Sequence, residues 1–150
     1  MIPLEDIKEQ IVNCKIGSDL SHKKEVTFLP DILLDNEKIN ILFEAKSQNA
    51  EPHLICGLFI GTDDRLIFLK SSKYEILVFE QFLYDDIIKI KAKQRSNLIS
   101  KLMRYPQIII ETNDESQKHV FLASGYEFFT DDLETIVSFL NKTLELYRDN

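Results

Sequence analysis

The sequence predicts mainly antiparallel β-structure with terminal helices, closed by one long C-terminal helix. Three observations lead there. Between Glu37 and Leu122, seven short runs rich in Ile, Leu, Val and Phe are separated by polar segments. Asn113-Asp114-Glu115-Ser116 divides Ile108-Ile109-Ile110 from Val120-Phe121-Leu122, a strong hairpin signal. Beyond Thr130, Leu133, Ile136, Val137, Leu140 and Leu144 fall on one stripe of a helix.

Each element follows from the same rules. Leu4, Ile7 and Ile11 give residues 4–14 a helical period, with Glu5 and Asp6 suiting the positive end of its dipole. That helix is expected to stop before Gly17, and residues 17–28 are polar and expected as a connector. Pro30 suits the first turn of a further short helix. From Glu37 the period becomes two, with Ile39, Ile41 and Phe43 on one face. After a loop at 47–52, a second strand from His53 to Ile60 is apolar on both faces. A turn at 61–64 leads to a third strand at 65–69, and a turn at 70–73 to a fourth at 74–82. A short fifth strand is expected at 87–91. Thr130 or Asp131 should cap the last helix, with Asp131, Asp132 and Glu134 in its first turn.

The bulk numbers bound the function classes. A chain of 150 residues with 44% hydrophobic and 10% aromatic content has the material for one core. A formal charge of −7 argues against a nucleic-acid binder, because a phosphate backbone demands a net basic face. Cys14 and Cys56 form no CxxC and no disulfide framework. No leader pattern opens the chain and no run is apolar enough to span a bilayer, so the expected location is cytoplasmic.

Two segments carry a family resemblance. Gly61-Thr62-Asp63-Asp64-Arg65-Leu66-Ile67-Phe68 resembles the turn-and-strand of bacterial PH-like domains, particularly the YokE-like group. Phe82, Tyr84, Ile87 and Ile90 resemble that family's following segment. The resemblance covers residues 36 to about 146. It implies a pleckstrin-homology-like, seven-stranded antiparallel barrel capped by the C-terminal helix. On that basis residues 1–35 are an N-terminal helix and connector and 36–150 the PH-like domain, together one structural unit. The motif residues are Thr62, Asp63, Arg65 and Leu66. Thr62 and Asp63 are suited to bond their own backbone in the turn, and Leu66 and Phe68 to re-enter the core. The loop at 46–52 holds only Lys46, opposed by Glu51, where phosphoinositide-binding members carry several cations.

No constellation in the sequence carries catalysis. His22, His53 and His119 stand at no metal spacing. Cys56 lies between Ile55 and Leu58 and is expected as a small core residue. The pairs Asp63-Asp64, Asp85-Asp86 and Asp131-Asp132 fall at turns and a helix start, where Asp is favoured for local reasons. Neither a GxGxxG nor a Walker pattern occurs. The expectation is therefore no enzyme, no cofactor and no metal.

One basic segment stands out. No acid occurs between Asp86 and Glu111, an interval that holds Lys89, Lys91, Lys93, Arg95, Lys101 and Arg104, six of the chain's 18 basic residues. Leu98, Ile99, Leu102 and Met103 interleave with them at helical spacing, as in a surface helix that docks on a membrane or a partner. On a plainer account the lysines are the solvent face of an edge strand and the apolar residues cover a barrel end. The expected function is a non-catalytic interaction module, for a protein partner before any other. The alternatives are weak binding to acidic lipid through 89–104, a homo-oligomeric scaffold, and an enzyme.

Overall fold

In a computed structural model, which describes residues 1–47, 55–97, 100–114, 118–123 and 130–149, the alternating runs become seven strands. They are β1 (Ile39–Ser47), β2 (Ile55–Thr62), β3 (Arg65–Ser71), β4 (Ile76–Leu83), β5 (Ile87–Asn97), β6 (Ser100–Thr112) and β7 (Lys118–Ala123). The β1–β7, β2–β3, β3–β4, β5–β6 and β6–β7 pairs are all antiparallel. Residues 48–54, with His53 and most of the loop expected at 47–52, and residues 115–117 lie outside the described residues. The chain divides into two compact units. Met1–Phe43 with Gly57–Tyr84 form one, and Glu44–Cys56 with Asp85–Asn150 form the other.

The first unit holds the order β4-β3-β2-β1. Leu58 and Ile60 on β2 lie opposite Leu69 and Ile67 on β3, so these four share a face. Ile7, Ile11, Val26 and Leu29 of the N-terminal segment join them in one hydrophobic cluster. The other face carries Phe59 opposite Phe68, and Phe43 stacks on Phe59 at 4.7 Å between ring centroids. Burial on both faces is what the sequence of β2 predicts.

The N-terminal segment consists of α1 (Leu4–Val12), 3-10 turns at Ser18–Leu20 and Lys24–Phe28, and α2 (Leu29–Ile32) with Pro30 in its first turn. Gly17 has φ 92°, and a Cβ there would lie 2.2 Å from the Leu42 carbonyl oxygen, so only glycine fits this approach to β1. Residues 17–28 are more than a polar connector, because Glu25 and Val26 are buried. The reason for Glu25 lies on β3. A register shift between Lys70 and Ser71 disturbs the β3–β4 ladder, and the Ser71 amide and hydroxyl both donate to the Glu25 carboxylate, at 2.9 and 3.0 Å.

The second unit holds the end of β1 with β7, β6 and β5 in that order, and the helix α3 (Thr130–Asp149) packed on β5 and β6. The α3 stripe lies as expected. Leu133, Ile136, Val137, Leu140 and Leu144 are all buried, as are Ile87, Ile90, Ile108, Ile110 and Phe121 in this unit. The side chains of Thr130, Asp131 and Asp132 lie outside the described ones.

Two expectations need correction. The fifth strand is long, not short, because it pairs with β6 from Ile87 through to Asn97. The strand order runs open from β4 to β5, so the sheet is antiparallel but not shown as a closed barrel.

Candidate binding surfaces

The turn motif is a structural clasp. The Thr62 hydroxyl oxygen accepts from the Asp64 and Arg65 amides, each at 3.1 Å, which forms the turn between β2 and β3. The same hydroxyl donates to Glu37 Oε2 at 2.5 Å. Arg65 grips both Glu37 oxygens through Nε and Nη2, each at 3.0 Å. It also donates to the Ile32 carbonyl and to Gln81 Oε1, at 2.7 and 2.6 Å. Asp63 bonds outside its own turn, accepting from the Lys38 amide at 2.9 Å. Leu66 and Phe68 are fully buried, as the alternation predicts.

The electrostatics follow from this packing. Burial pushes the Glu37 carboxyl up. Hydrogen bonds from Arg65, Thr62 and the Leu34 amide, together with the Arg65 charge, outweigh that and hold it below the ordinary glutamate value. Tyr84 donates its hydroxyl proton to the Thr62 carbonyl. Burial first, then the charges of Asp63, Asp64 and Glu37, push its phenol well above the usual range. Arg65 is consumed inside the fold, which explains the motif without a ligand. The partner that sequence reasoning missed is Glu37. Its signal was an acid just ahead of a strand, which local pattern alone does not connect to Arg65, 28 positions later.

The basic segment is a strand pair, not a helical turn with an apolar edge. Lys89, Lys91 and Lys93 lie opposite Glu111, Ile109 and Gln107 of β6, on one face. Lys89 and Lys93 are exposed. Lys91 is half-buried and pairs with Glu111 at 2.9 Å. Arg95 lies opposite Tyr105, in phase with the lysines, whereas Arg104 lies opposite Ser96, out of phase with them. The side chains of Arg95, Lys101, Leu102, Met103 and Arg104, and all of Leu98 and Ile99, lie outside the description. Strand geometry thus brings the three lysines together and separates Arg104 from them. Helix α3 fastens to this strand. Asn141 Nδ2 donates to the Ile90 carbonyl at 3.0 Å, and Arg148 donates to that of Ile87.

A surface the sequence did not signal lies on β4. Ile76, Leu77, Phe79 and Leu83 are all exposed, between 39% and 52%. Phe79 lies opposite Leu69, and Leu83 opposite Arg65. The cluster shared with the N-terminal segment includes Leu69 and Ile67 but nothing from β4.

The remaining expectations concern single residues. Cys56 is exposed, not in the core, because the cluster that buries Leu58 and Ile60 takes in no earlier residue of β2. Cys14 is partly buried, and burial raises its thiol pKa. His22 is exposed and His119 half-buried in β7. Asp85 accepts a hydrogen bond from the Tyr147 hydroxyl at 3.1 Å. Among the described residues, no group of three or more His, Cys, Asp or Glu is placed to hold a metal ion. No described helix is long and apolar enough to cross a membrane.

No protein-family model matches the chain, and no curated protein matches it. Solved structures do. The hSac2 domain from human phosphoinositide phosphatase Sac2 superposes with a TM-score of 0.60 at 14% identity, covering 83% of this chain and 84% of that one. The Vps36 N-terminal PH domain gives 0.54 at 18%, covering 79% and 86%. PDZ-RhoGEF DH/PH domains in complex with GTP-gamma-S activated RhoA give 0.55 at 14%, covering 96% of this chain but only 39% of theirs. The fold is PH-like: antiparallel sheet with a C-terminal helix.

Proposed function

We propose that this chain is a non-catalytic interaction module whose partner is a protein. The observation that carries this reading is the apolar strip on β4, where Leu77, Phe79 and Leu83 meet solvent on a strand that ends the sheet. Large side chains clustered at an exposed site mark an interaction surface more often than isolated ones do. The PH-like fold is compatible, since DH/PH domains, 39% of which this chain covers, are seen in complex with RhoA. The proposal extends to a bacterial, YokE-like PH domain. It rests there on Thr62, Asp63, Arg65 and Leu66 and on Phe82, Tyr84 and Ile87. Residence in the cytoplasm is supported by Cys14 and Cys56 being free thiols.

Acidic lipid is the second reading, favoured by Lys89 and Lys93 being exposed on one face. Each cation held at an anionic surface contributes about 1 kcal/mol. Lys91 is drawn to Glu111, which weakens the strip.

The test uses the tagged full chain expressed in its native cell. Proteins captured by wild type are compared with those captured by a Leu77→Ser, Phe79→Ser variant, alongside sedimentation with anionic liposomes at low and high salt. A captured protein lost with the variant supports the protein reading. Salt-sensitive liposome binding abolished by Lys89→Glu and Lys93→Glu, with an unchanged protein profile, transfers the function to lipid.

A further inference from the structure

The two strands that end the sheet order are finished differently. On β5, side chains of α3 donate to the Ile87 and Ile90 carbonyls, and lysines line the solvent face. Both features discourage a further strand from adding. On β4 the solvent face is Leu77, Phe79, Gln81 and Leu83. That face continues the one on which Leu69 and Ile67 lie fully buried beneath the N-terminal segment. The cover reaches β3 and stops. As the last strand of the order, β4 directs half of its backbone N–H and C=O groups away from β3.

The size and charge of this surface select its occupant. A few side chains about half exposed leave a strip of roughly a few hundred Å², whereas a stable globular partner needs about 800 Å² per side. An added strand makes up the difference with main-chain hydrogen bonds, and it seats alternate side chains on the strip. Asp63 and Asp64 are exposed at the turn just before Arg65, which lies opposite Leu83 at the C-terminal end of β4. Arg65 is committed to Glu37. Burial first, then the neighbouring charges of Asp63 and Glu37, raise the Asp64 carboxyl pKa against the opposing pull of Arg65.

We propose that β4 receives an extended segment of a partner protein, running antiparallel, with apolar residues at alternate positions and Lys or Arg at its N-terminal end beside Asp63 and Asp64. This deepens the protein-binding reading and rests on it.

The experiment measures fluorescence anisotropy of a labelled synthetic peptide, two arginines followed by alternating valine and threonine, against the full chain. Saturable binding is expected, with hydrogen exchange slowed at alternate amides of β4. Replacing the arginines with glutamates, or making Asp64→Asn, should weaken binding about tenfold. Prolines in place of the threonines should abolish it, because they remove ladder donors. The Leu77→Ser, Phe79→Ser variant should also lose at least tenfold, with circular dichroism and urea midpoint matching wild type. The proposal is overturned by no saturable binding up to about 1 mM peptide, or by equal binding to the serine variant. A wild-type dimer in sedimentation velocity that the serine variant lacks would assign the strip to a second copy and overturn it as well. If the peptide fails while protein capture still depends on Leu77 and Phe79, strand addition is wrong and the protein-binding reading stands.

Discussion

Strands β4 and β5 are both edges, yet their sequences are treated in opposite ways. Lys89, Lys91 and Lys93 alternate along β5, and Ile90 between them is buried. The run Ile76-Leu77-Val78-Phe79 on β4 is apolar throughout, and three of its four residues are exposed. The units behind them differ too. The unit holding β4 buries charge in Glu25, in Glu37 and in the Arg65 pair. The unit holding most of β5 relies on the apolar stripe of α3. The lesson is that a lysine face advertises an edge in sequence, whereas an apolar edge looks like a core strand until its neighbours are known.

The largest effect separating the two units should come from Arg65→Ala. It leaves the Glu37 carboxylate buried without its cation, a loss of about 3–5 kcal/mol for a broken buried pair. Urea unfolding should show it as a large fall in midpoint. A fall no greater than that of a surface substitution would mean that the clasp does not hold this unit together.

On the other side, Leu140→Ala should cost about 2–5 kcal/mol through lost burial and a residual cavity. Asn141 is half-buried and donates to the Ile90 carbonyl, so Asn141→Ala should cost about 1 kcal/mol. Lys142 is the exposed control and should change stability by less than about 0.5 kcal/mol. Equal midpoints for the Leu140 and Lys142 variants would contradict the orientation of α3.

Acid should expose the difference as well. The Glu37 pKa is lower in the folded chain, so its contribution is complete above the unfolded value near 4.5 and is lost as pH falls through the folded value. Glu37→Gln should flatten the decline in unfolding free energy between pH 5 and pH 2, about a neutral-pH value already reduced. A decline as steep as that of wild type would place the acid sensitivity elsewhere.

The smallest effects belong to the two edges. Lys91→Met should change stability by about 0–1 kcal/mol, because the pair is partly open to solvent, Lys91 more than Glu111. Phe79→Ser should lie within about 0.5 kcal/mol of wild type, as befits a residue facing water. A loss of several kcal/mol at Phe79 would show that the strip is structural and sharpen the contrast in the other direction.

Much of this protein is written locally. Strand period, the Thr62 turn and the 3.6-residue stripe of α3 depend on neighbours within a few positions, so they were legible in the residues themselves. The helical spacing at Leu98, Ile99, Leu102 and Met103 misled, because long pairing between β5 and β6 overrides a short helical pattern. Cys56 misled because apolar neighbours in sequence do not guarantee cover in space.

By itself the sequence determined the element types, the buried stripe of α3, and the common face of Lys89, Lys91 and Lys93. Only the tertiary structure decided that Glu37 would hold Arg65, that Glu25 would fill the bulge at Ser71, and that the N-terminal cover would stop before β4. The physical reason is one of range. Backbone periodicity is set by torsions and side-chain alternation over a few residues. Burial of charge and exposure of an apolar edge depend on which distant segment arrives to satisfy or cover them, and no local pattern carries that information.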